Sequence, residues 1–115
     1  MASPTKQAYK IIFNQEPPAE MKDWEIAREV MNNWNVPKMG EELAQDCIFE
    51  IVDVINFPTE ELRIEVVGLA ENMSTELFPE LAGKDEPHMD DIAVLKEKYY
   101  LKRLEKENRE FKKPR

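Results

Sequence analysis

An all-α fold, a small bundle of four to five helices closed by a long basic amphipathic C-terminal helix, is what this 115-residue sequence predicts, and three observations predict it. Apolar residues recur at three- and four-residue spacing along most of the chain, the period that lines one face of a helix. Prolines and isolated glycines (Pro17–Pro18, Pro37, Pro58, Pro79 and the stretch Gly83 to Pro87) leave only short connections, as between sequential helices packed antiparallel or at steep angles. Charge is divided along the chain. Nine basic and four acidic residues lie from Lys96 onward, a net of +5, against a net of −13 for residues 1–95. The sequence therefore reads as one domain with an acidic helical body, 1–95, and a basic C-terminal helix and tail, 96–115.

The totals agree with a folded domain. Hydrophobic residues make up 42%, near the globular average, while charged residues at 35% exceed the usual quarter or so, which predicts a densely charged surface. Disorder is expected only at the two ends. The single cysteine, Cys47, cannot form an internal bridge and sits in the apolar run CIFEIVDVI, so a reducing, cytoplasmic setting is the simpler expectation. The N-terminal stretch has no apolar core longer than Ile11–Phe13, which fits neither a secretory signal nor a membrane span.

The first helix read from the pattern carries Trp24, Ala27, Val30, Met31 and Trp34 on one face, with Asp23, Glu25, Glu29, Asn32 and Asn33 elsewhere. The next, GEELAQDCIFEIVDVIN, is the most apolar segment. Its β-branched residues would also suit a strand, but Asp46, Glu50 and Asp53 share one helical face and would scatter to both faces of a strand. In ELRIEVVGLAENM the same ambiguity arises, and a hairpin over about 47–70, giving an α+β fold, is the alternative. Against it, Thr59 is an N-cap candidate followed by Glu60 and Glu61 in the positive first turn. Leu62, Val66, Leu69, Ala70, Met73 and Leu77 then make a helical stripe. Phe57-Pro58 and Phe78-Pro79 each place an aromatic before a proline, an arrangement that pins a helix start to the core.

A last helix is predicted from near His88 to about 113, with Asp90 and Asp91 in its first turn and lysines in its last, complementing the helix dipole. At about 100° per residue, Lys98, Lys102, Lys106, Arg109 and Lys113 fall within an arc of roughly 80°. Ala93, Tyr100, Leu101, Leu104 and Phe111 gather opposite, the side expected to face the body. Sustained heptads are absent, which excludes a long coiled coil but leaves a short one, or a helix that docks in a partner's groove.

The chemistry of sites is sparse. No catalytic, cofactor or metal residue is assigned. His88 with Asp90 and Asp91 reads as acids capping a helix beside an exposed histidine. No Glu-x-x-His pair, Gly-rich phosphate loop, nucleophile elbow or paired cysteines occurs. Trp24 and Trp34 read first as core residues and, in the functional reading, as aromatic anchors for a partner. Met21, Met31, Met39 and Met73 read as core fillers in the same way.

The expectation is a non-enzymatic regulatory or adaptor protein that binds a protein partner. Its candidate contact residues are Lys98, Lys102, Lys106, Arg109, Lys113, Trp24 and Trp34, and a second copy of the chain is among the surfaces considered. The alternative is a nucleic-acid-binding protein that sets the basic stripe against phosphates. A further alternative is an acidic mimic of DNA, since dense negative charge attracts surfaces built for nucleic acid.

Overall fold

Capping side chains start most of the helices, and one central helix collects them into a core. The computed structural model describes residues 3–83 and 89–111, with side chains in the last helix as far as Glu107. Ser3 caps α1 (Pro4–Phe13), its Oγ accepting from the Lys6 N–H at 3.4 Å. Pro4, in the first turn, gives up only an N–H that would lack an intrahelical acceptor. Asn14 ends the helix in left-handed backbone, φ 56°, which asparagine tolerates better than most residues. The buried face of α1 is Thr5, Ala8 and Tyr9. This helix corrects the expectation of disorder at the N-terminal end, of which only residues 1–2 lie outside the described region.

α2 (Asp23–Asn32) opens with the Glu25 carboxylate accepting from the Lys22 N–H at 3.0 Å and buries Ile26, Ala27, Val30 and Met31. One helical turn, α3 (Val36–Met39), is capped by Asn35 Oδ1, which accepts from the Lys38 N–H at 3.1 Å. Gly40, at φ +92°, then redirects the chain into α4 (Glu41–Asp53). A side chain at that φ would be strained, so glycine is what lets two helices follow almost without a linker. α5 (Glu60–Leu77) starts where Thr59 Oγ1 accepts from the Leu62 N–H at 3.2 Å. A 3₁₀ turn (Pro79–Leu81) and α6 (Met89–Phe111) complete the order. The hairpin alternative is thus overturned: α4 and α5 are both helical across its span, and no strand occurs among the described residues. The described residues hold six α-helices, more than the four to five expected, the additions being α1 and the one-turn α3.

α4 is the hub, packed against α1, α3, α5 and α6, while α2 closes over α1 and α5. It buries Ala44, Cys47, Ile48, Phe49, Ile51 and Val52, with Val66, Val67, Ala70 and Leu77 of α5 meeting them. Gln45, buried in α4, donates from Nε2 to the Leu77 carbonyl at 2.9 Å and so satisfies a C-terminal carbonyl of α5. Phe78 is fully buried and seats the 3₁₀ turn in the core, as the aromatic-proline pattern predicts.

α6 docks on α4 and α5 through Ile92, Leu95 and Tyr99. Ile92 is fully buried, worth about 1.5–3 kcal/mol in transfer free energy. Tyr99 completes an aromatic cluster, with centroids 5.2 Å from Phe78, edge to face, and 6.0 Å from Phe49. Every side chain from Leu104 to Glu107 is exposed. The Cα radius of gyration is 15.0 Å, above the about 13 Å of a compact chain this long, and the principal extents are 52 × 36 × 24 Å. An α6 of roughly 35 Å accounts for the excess by outrunning the body.

Candidate functional site

The acids of α4 face α6 and α1. Asp53 holds Lys96 Nζ at 2.7 Å, and Asp46 holds the Arg103 guanidinium, which also lies 3.8 Å from Glu42 and donates to Gln45 Oε1 at 3.4 Å. Glu50 accepts from the Thr5 N–H at 2.8 Å, placing a carboxylate at the positive N-terminus of α1. Lys98 reaches the 3₁₀ turn, where Glu80 accepts from its ammonium at 2.8 Å and from the Tyr99 hydroxyl at 2.7 Å. Those two donors hold the Glu80 carboxyl down at about 2, and burial with the bond to Glu80 pushes the Tyr99 phenol up to about 12. The basic C-terminal helix is therefore partly bound to the acidic body, and the boundary read at 95/96 falls inside one continuous helix.

This pairing redistributes the expected basic stripe. Lys98 is engaged by Glu80, and Lys102 lies over the Tyr99 ring at 5.5 Å, within cation–π range. Lys106 is exposed beyond the body. Arg109 belongs to α6 with its side chain outside the described set, and Lys113 lies outside the described residues altogether.

The apolar edge of α6 does not face the body as expected. Ala93, Tyr100, Leu101 and Leu104 are all exposed, and the Phe111 side chain lies outside the described set. The reason is the matched chemistry of the opposite wall. The aromatic cluster and the acid row of α4 select Ile92, Leu95 and Tyr99, flanked by Lys96 and Arg103, as the docked face. What remains outward is an apolar strip: Val94 is 75% exposed, Tyr100 61%, Leu101 53% and Leu104 40%. Val94 was not among the expected residues; its seven-residue spacing from Leu101 is the signal that would have found it.

Elsewhere the candidates are quieter. Trp34 packs against the core with its indole N–H buried and without an acceptor among the described residues. Trp24, in the first turn of α2, is half-buried, so the two tryptophans do not form an exposed pair. Met31 and Met39 are buried, and Met21 and Met73 pack against the core. A groove of about 360 Å³ between the start of α1, α4 and α6 is walled by Pro4, Phe49, Val54 and Tyr100. Its rim charges, Asp46, Glu50, Lys96 and Arg103, are all satisfied inside the protein. Cys47 is buried, its Sγ–H donating to the Pro4 carbonyl at 3.4 Å, and burial pushes its thiol up, away from the reactive thiolate. Among the described residues no cluster of three potential metal ligands occurs, and no helix is long and apolar enough to cross a membrane; His88 lies outside the described residues. Comparison of the chain with protein-family models, curated proteins and solved structures found no match.

Proposed function

We propose that this protein is a small, non-enzymatic binding module, regulatory or adaptor in kind and cytoplasmic, that docks on a protein partner through the outer face of α6. The observation carrying this reading is the strip Val94, Tyr100, Leu101 and Leu104, exposed on a helix whose other apolar face is already committed to the core. Large apolar side chains grouped on one face of a rim-charged helix suit a hydrophobic partner surface. The docked face keeps the helix folded independently of that partner, so little ordering cost falls on binding.

The test is affinity capture with the full chain as bait, against a Leu101→Glu variant, from cells that produce the protein. The wild type is expected to recover a protein that the variant does not. Recovery of the same set by both, or of nothing by either, overturns the reading. A third outcome transfers it to nucleic acid: binding of duplex DNA that falls steeply with salt and is lost when Lys102 and Lys106 are changed to glutamine.

A further inference from the structure

The outer face of α6 has a self-complementary register, and we infer that its partner is a second copy of this chain, paired antiparallel along α6. This inference rests on the docking reading above and names the occupant of that face. Val94 and Leu101 are seven residues apart and Leu104 lies three further on, the spacing of two a positions and one d position in a short coiled-coil seam. Laid antiparallel about a two-fold axis near residues 102–103, Leu101 of each copy meets Leu104 of the other. Lys98 then stands opposite Glu105 of the second copy, and Glu105 opposite its Lys98.

One ion pair thus appears twice, as an isologous interface requires. A parallel, in-register alignment would instead set Lys98 beside Ala93 and Glu105 beside Tyr100 of the other copy, so the ion pair would not form. Lys98 can serve both contacts, because its ammonium has three donors and half of its side chain remains in water while it holds Glu80. Lys98, Leu101 and Glu105 already line one shallow concavity on this face, so the groups the pairing needs are grouped in the single chain.

The geometry also gives the overhang a role. The part of α6 that outruns its own body would lie along the docked part of the partner helix, with the two bodies on opposite outer sides. Glu97 occupies a seam position and weakens the contact while disfavouring other registers, so the association belongs to the weak, small-interface class.

The experiment is sedimentation of the full chain at low salt from ~10 µM to ~1 mM, a range spanning weak dissociation constants. The average mass is expected to rise from 13.5 kDa toward twice that value. Leu101→Glu should remain monomeric throughout with unchanged helical circular dichroism. Glu105→Lys should shift association at least tenfold higher in concentration, and Glu105→Lys combined with Lys98→Glu should restore it to within about threefold of wild type. A wild type that stays at 13.5 kDa overturns the inference, as does association indifferent to Glu105→Lys or not restored by the double change. If the monomeric protein still captures another protein through Leu101, the pairing falls and the docking face stands. If it captures nothing dependent on Leu101, both fall.

Discussion

Single residues decide how the acidic and basic parts of this chain meet. Glu80 accepts from both Lys98 and Tyr99, and these bonds draw its carboxyl from an ordinary 4.5 to about 2. A carboxyl whose pKa is lower folded than unfolded stabilises the fold fully above its unfolded value, and that contribution disappears as pH falls from about 4.5 toward 2. Lys98 is 52% exposed, so solvent screening limits the pair to about 1 kcal/mol. Glu80→Gln should therefore lower the melting temperature at pH 7 by about 4 °C. The gap between variant and wild type should close as the pH approaches 2, which thermal unfolding across that range measures. A constant gap would mean that the contact acts through packing rather than charge.

At the scale of elements, α6 is held by a short apolar seam and by ion pairs on either side of it. Arg103 is the last residue of that attachment, joined to Asp46 and Gln45, and every described side chain beyond it is exposed. Arg103→Ala should cost about 1–2 kcal/mol by leaving Asp46 and the buried Gln45 short of a donor. Amide exchange should accelerate from Tyr99 onward while the turn around Ile92 stays protected, a gradient readable by hydrogen-exchange mass spectrometry. Uniform acceleration along α6 would show instead that the helix detaches as one unit.

The same elements show what the sequence could reveal. α2, α4, α5 and α6 are legible because apolar spacing, acid rows and the Thr59 cap agree with one another. α1 was equally open to reading, since Ala8, Tyr9, Ile12 and Phe13 fall at helical spacing on its core-facing side and Ser3-Pro4 is a helix start in plain view. The orientation of α6 was not. Ile92, Leu95 and Tyr99 are interleaved with lysines, so composition alone favoured the greasier edge, and only the α4 acids opposite them reverse the choice.

For the whole molecule, the charge division is in part an internal attachment and in part an extension beyond it. Ending the chain after Arg103 removes the exposed residues Leu104 to Glu107 and all that follows, yet leaves the core and the three cross-helix attachments of Lys96, Lys98 and Arg103 in place. Such a chain should lose no more than about 1 kcal/mol of stability. Its radius of gyration by X-ray scattering should contract from 15.0 Å toward about 13 Å. A large loss of stability would show that the distal turns support the body.

The seat of Cys47 has a consequence of its own. Its sulfur is roofed by the first residues of α1, bonded to the Pro4 carbonyl and walled by α4. An alkylating reagent in solution meets no thiol until that roof lifts. Each labelled molecule therefore records one excursion of the N-terminal helix from its bed, and the native chain carries its own clock for local opening.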